Sequence, residues 1–135
     1  MKKNNNKKPT YKYLGLLNPE IADYWNINEH KNKPILVYDD RIAHVIDRHL
    51  KDFGTENAIM ESYYNLENII KKPSYVYYNK KVSSLEYYKN INYDLCVAVR
   101  INPGKVLKVK SWYPVNKAKI DNRKKKEEHE FIENK

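Results

Sequence analysis

A chain of 135 residues with a formal net charge of +9 and a pI near 9.4 is one domain by length, and its basic balance calls for a polyanionic partner, nucleic acid before anionic membrane. The single cysteine, Cys96, excludes a disulfide framework and a cysteine-based zinc site within a monomer. No apolar run approaches the roughly 18 residues that a membrane span needs, and the Lys/Asn-rich start has no apolar signal core, so a soluble protein of the reducing cytoplasm with no membrane partner is expected.

In chain order, residues 1–10 are polar and charged and read as a disordered basic tail. Residues 14–17 form a short apolar run that predicts an edge strand. Asn18-Pro19-Glu20 supplies an N-cap, an N1 proline and a first-turn acid, opening a short helix through Ile21, Ala22, Tyr24 and Trp25. Residues 28–33 are a predicted loop with a solvated His30, and residues 35–38 a short strand.

Residues 38–50, YDDRIAHVIDRHL, gather the groups suited to moving protons and holding phosphate. Two of the four histidines, His44 and His49, lie here with Arg41 and Arg48, in a chain that otherwise uses mostly Lys as its cation. Arg stays charged and offers a planar fork that matches phosphate, and His exchanges a proton near pH 7. Asp39 or Asp40 is the expected N-cap of a helix. At about 100° per residue, Ile42, Val45, Ile46 and Leu50 form an arc that should face a core, with His49 inside it. His44 and Arg48, four apart, share the open face, flanked by Arg41 and Asp47.

Phe53-Gly54 ends that helix, and the period of Ile59, Tyr63, Leu66, Ile69 and Ile70 predicts a second one over 58–71, stopped by Pro73. Strands rich in Val, Ile and Tyr are predicted at 75–79, 84–90, 93–101 and 105–113, with Asn102-Pro103-Gly104 turning the last two into a hairpin. The expected fold class is α+β, N-terminal helices on one face of a four-stranded antiparallel sheet. Leu95, Val97, Val99, Ile101, Leu107 and Val109 should face the helices, and Arg100, Lys108 and Lys110 should make a basic face on the other side. A domain over 11–120 would be followed by a charged tail over 121–135.

Taken together, Leu14-Gly15-Leu16-Leu17, the AHVIDRH run ending at His49, Ile69 to Tyr75 (IIKKPSY), Val97-Ala98-Val99-Arg100 and Lys110-Ser111-Trp112-Tyr113 resemble, in this order, the phage-associated branch of the Barnase–EndoU–colicin–RelE nuclease fold, the PBECR domains. The resemblance implies a small endoribonuclease that needs no metal or other cofactor, acting as a toxin or as an effector of phages and mobile elements. RNA would be cut at the open side of the sheet. The family's helical histidines and arginine would map to His44, His49 and Arg48, and its hydroxyl on the last strand to Ser111, where members often carry Thr.

The chemistry such a site needs is a base for the ribose 2′-oxygen, an acid for the leaving 5′-oxygen and a cation at the phosphorane. His44 and His49 can fill the proton roles, Arg48 the cationic one, and Ser111 can hold a phosphate oxygen. Arg41, Arg100, Lys108, Lys110 and Tyr113 are the candidate nucleic-acid contacts, Tyr113 by stacking. Neither an HExxH nor a cysteine cluster suggests a metal site. The expected partners are RNA, with tRNA one candidate, and a cognate inhibitor or immunity protein. The alternative is a catalytically inactive nucleic-acid- or protein-binding module.

Overall fold

Local signals fix many of the element ends. Asn18 Oδ1 accepts the amide of Glu20 at 2.7 Å, Thr55 Oγ1 accepts that of Ala58 at 3.1 Å, and Gly54, with φ +93°, ends the histidine helix in a conformation that side chains resist. The computed structural model describes residues 10–133, with side chains through Glu127; residues 1–9 of the expected tail lie outside the described residues. In order, the elements are β1 (Tyr11–Leu16), α1 (Pro19–Tyr24), a 3-10 turn (Asn28–His30), β2 (Pro34–Tyr38), α2 (Asp40–Phe53), α3 (Glu56–Lys71), β3 (Tyr75–Asn79), β4 (Ser84–Asn90), β5 (Asp94–Arg100), β6 (Leu107–Pro114) and α4 (Lys117–Glu133).

The class is α+β, and β3 to β6 form the antiparallel meander that the sequence predicts. The sheet, however, has six strands rather than four, in the order β1-β2-β6-β5-β4-β3, and it is mixed. β2 runs parallel to β6 through Ile35–Leu107 and Leu36–Lys108, and β1 lies antiparallel on β2 at the edge. β2 suits this interior place: Ile35, Leu36 and Val37 are all buried, a continuous apolar run of the kind found in strands covered on both faces.

One face of the sheet carries Leu85, Tyr87, Val97, Val99, Val109 and Trp112 into a core closed by Ile59, Leu66 and Ile69 of α3 and Val45 of α2. The other carries Glu86, Tyr88, Cys96, Ala98 and Ser111. Helices cover part of both faces, not one as expected. α4 lies on the second face: Arg123 pairs with the buried Glu86 at 3.1 Å, Glu127 accepts the hydroxyls of Tyr24 and Tyr75, and Ile120 packs beside Tyr77, Tyr88 and Cys96. Residues 121–133, expected as a charged tail, thus continue a helix. Its anchors, Lys119, Arg123 and Glu127, recur every four residues on one helical face; the Lys119 ammonium lies 4.9 Å from the centroid of the Tyr113 ring.

Three smaller expectations are corrected. Leu50 is 37% exposed, because five residues beyond Val45 is a rotation of about 140°, which carries it to the rim of the buried arc. His30 is buried, with Nδ1 2.7 Å from Lys33 Nζ, because the 3-10 turn folds its ring inward. Asp39 stands at the N-cap position of α2 without capping it; its carboxylate accepts the hydroxyls of Thr10 and Tyr63 instead.

Candidate nucleic-acid interface and active site

β2 and β6 pair over only two residues before they part. α2 then takes the place of a strand beside the rest of β6. Arg41 Nη1 donates to the Lys110 carbonyl at 3.4 Å, so the guanidinium meets a ladder acceptor that β2 no longer reaches. One helix end further on, the His49 ring stacks on Tyr113 with centroids 4.8 Å apart and planes at 26°. Its Nδ1 lies 3.0 Å from Asp52 Oδ2, and this carboxylate orients the ring.

Strand β6 departs from plain alternation here. Val99 pairs with Val109, but Ala98 pairs with Ser111, so Lys110 is one extra residue on its strand. Such a bulge sends both of its residues to the same side and bends the strand. Val109 and Trp112 therefore both reach the core, while Lys110 and Ser111 both turn to the opposite face. Lys110 Nζ sits 3.1 Å from Ser84 Oγ on β4, and Ser84, Arg100 and Lys108 form one cross-strand row on that face.

The result is a pocket of about 380 Å³ walled by Tyr38, Asp40, Arg41, Arg100, Lys108, Val109 and Lys110. Four cations face it against one carboxylate. Asp40 is 3.4 Å from Arg41 Nε, and Lys108 Nζ lies 5.2 Å from the centroid of the Tyr38 ring. Of the predicted nucleic-acid contacts, Arg41, Arg100, Lys108 and Lys110 are brought together, and Tyr113 stands apart under His49 and Lys119.

His44 follows Arg41 by three residues and precedes Arg48 by four, so the three side chains share one side of α2 and carry the pocket's positive edge along the helix. The His44 ring is half-buried and makes no hydrogen bond among the described residues. Its pKa is held below the ordinary 6.5 by burial first, then by the charges of Arg41 and Arg48. The Arg48 side chain is 68% exposed, 3.7 Å from Asp47. Ser111 is not a wall of the pocket: its Oγ is buried with no hydrogen-bond partner among the described residues. Among the described residues no three of His, Cys, Asp and Glu gather as a metal's ligands would. The sequence does not single out Asp52, Tyr38, Ser84 or the Glu86–Arg123 pair; only Asp52, three residues from His49 on a helix, carried a signal.

A family model described as the phage Barnase-EndoU-ColicinE5/D-RelE-like nuclease 3 matches residues 11–122. The chain belongs to this nuclease family. No curated protein and no solved structure matches it. The stretch matched by the nuclease family begins with β1 and ends within α4, so it takes in the whole sheet, the histidine helix and the cationic pocket.

Within this nuclease domain the lone hydroxyl of Ser111 makes a sharp test. A buried hydroxyl without a partner costs about 1–3 kcal/mol. Ser111→Ala should therefore leave the urea midpoint unchanged or raise it, and a lower midpoint would mean that the hydroxyl has a partner in solution. If nuclease activity falls while stability rises, the hydroxyl is kept for the substrate.

Proposed function

We propose that the chain is a metal-independent endoribonuclease that cuts RNA by attack of the ribose 2′-oxygen on the adjacent phosphorus. The 5′-oxygen leaves, and the products carry a 2′,3′-cyclic phosphate and a 5′-hydroxyl. The observation that carries this reading is the convergence of Arg41, Arg100, Lys108 and Lys110 on one pocket beside the histidine helix, in a chain of a nuclease family. His44, held neutral at pH 7 by its surroundings, suits the base that takes the 2′-hydroxyl proton. His49, oriented through Nδ1 by Asp52, would give a proton from Nε2 to the leaving oxygen. Arg48, four residues beyond His44 on the same side of α2, would hold the phosphate as charge builds on the phosphorane, with Arg41 in the pocket holding the neighbouring backbone. The phage-associated family fits an effector carried by a phage or mobile element, and tRNA and an inhibitor or immunity protein remain its candidate partners.

The test is incubation of the protein with labelled RNA and with the same sequence as DNA, in EDTA, followed by end-group analysis. RNA should be cut to cyclic-phosphate ends, and DNA, which has no 2′-hydroxyl, should survive. In the rate profile, kcat/KM should rise with pH through a midpoint below 6.5, because a depressed His44 pKa leaves the base deprotonated already in mildly acidic buffer. Loss of cleavage in EDTA would sink the metal-free mechanism. Absence of cleavage at every pH from about 5 to 8, the range over which His titrates, would leave the binding module.

A further inference from the structure

A second basic pocket lies at the far end of the same cross-strand row. About 400 Å³ in volume, it is lined by Tyr77, Tyr78, Asn79, Lys80, Lys81, Arg123 and Lys126. Arg123 is committed to Glu86, but Lys80, Lys81 and Lys126 have no ion pair among the described residues and are exposed. Asn79 pairs with Ser84, Ser84 with Arg100, and Arg100 with Lys108. These four residues step across β3, β4, β5 and β6 on one face and join the second pocket to the first. Three interstrand gaps make a span of roughly 14 Å, more than a single phosphate group can bridge. Of the carboxylates beside this row among the described residues, Glu86 is neutralised by Arg123 and accepts from Asn79 Nδ2 at 3.3 Å, and Asp40 lies 3.4 Å from Arg41 Nε in a pocket of four cations, so little net negative charge faces the path.

We propose that single-stranded RNA lies along this row, with the backbone next to the scissile phosphate in the Arg41–Arg100–Lys108–Lys110 pocket and a further stretch of backbone held by Lys80, Lys81 and Lys126. The proposal rests on the ribonuclease reading and adds an extended substrate site to it. A chain reaching both pockets gains phosphate contacts that a dinucleotide cannot make, so the site selects for substrate length. A flexible single strand can follow the row across the twisted sheet, and a stiff duplex cannot.

The experiment measures binding, independently of cleavage. Fluorescence anisotropy follows a labelled dinucleotide, a single-stranded octanucleotide and a duplex of eight base pairs, all carrying 2′-O-methyl groups that block cutting, against the parent and against Lys80→Ser/Lys81→Ser/Lys126→Ser. The parent should prefer the single-stranded octamer. The triple variant should bind the octamer more weakly, and its slope of log affinity against log salt should fall by about 2, since each lost phosphate contact removes roughly 0.7. Dinucleotide binding should not change. An unchanged octamer slope, an equal loss for both lengths, or equal binding of the duplex would overturn the extended site and leave the nuclease reading standing. If the parent binds none of the RNAs at low salt, or binds only an acidic polypeptide such as polyglutamate, both readings fail.

Discussion

His44→Ala and His49→Ala should each lower the RNA cleavage rate by about two to four orders of magnitude, the contribution expected of one well-placed proton-transfer group. Initial rates on a labelled oligonucleotide, at saturating substrate and over a range of pH, measure it. The His44 ring is half-buried and makes no hydrogen bond among the described residues, so its removal should hardly shift the unfolding midpoint and the rate loss can be read as chemistry. His49 also stacks on Tyr113 and pairs with Asp52, so His49→Ala needs a stability measurement beside the rate. Groups that act as one unit are not additive, and the double variant should be little slower than the slower single one. Arg48→Lys should lose much of the rate although the charge is kept, because an ammonium cannot present the planar fork of a guanidinium. Should only His49→Ala be inactive, His44 is a surface residue; should both variants match the parent, the two-histidine mechanism is wrong.

Trp112→Ala should cost about 3–5 kcal/mol, a large part of the 5–15 kcal/mol that holds a typical domain together. The Trp112 side chain is fully buried, its ring lies 6.0 Å from that of Tyr63, and Nε1 donates to Ser62 Oγ at 2.8 Å. Truncation empties the space between β6 and Ser62 and Tyr63 of α3. Ser62 Oγ would keep its own bond to the Ile59 carbonyl at 2.6 Å, so the loss is mainly one of packing. Trp112→Phe should cost clearly less. Urea unfolding should show a lower midpoint with an unchanged slope; a loss below about 1 kcal/mol for the alanine variant would mean that Trp112 is not a core residue.

Wherever one period governed a segment, the sequence was a good guide. The helical repeat of Ile59, Leu66, Ile69 and Ile70 and the alternation of Leu95, Val97 and Val99 foretold which side chains are buried. Tertiary pairing was not legible in the same way. The apolar run at Ile35–Val37 showed a strand, but no local pattern says that its neighbour is β6 or that the two are parallel. α4 was hidden for a different reason: its anchors are Lys119, Arg123 and Glu127, which look like solvated tail until partly buried tyrosines and the buried Glu86 face them. For the candidate site, the clustering of Arg41, His44, Arg48 and His49 on one helix could be read from spacing, and so could the shared side of Arg100 and Lys108. Strict alternation would have put Ser111 with Val109 in the core and Trp112 outside. One extra residue on β6 reverses both.

That extra residue separates two demands on the chain. Deleting Lys110 alone would leave Val109, Ser111 and Trp112 in the order that a regular antiparallel strand requires, and every later side chain on its present face. Outside the two bulge residues, Lys110 and Ser111, the loss of one residue within β6 would turn the rest of the strand inside out. Lys110 is thus a place where the protein can be shortened without being misfolded, although the pocket would lose a cation and Arg41 its carbonyl. The deletion variant should unfold at or above the parent's urea midpoint and bind RNA less tightly. A lineage that dropped this one codon would keep a sound scaffold with one cation fewer in its pocket, a one-step change that alters charge and leaves the fold.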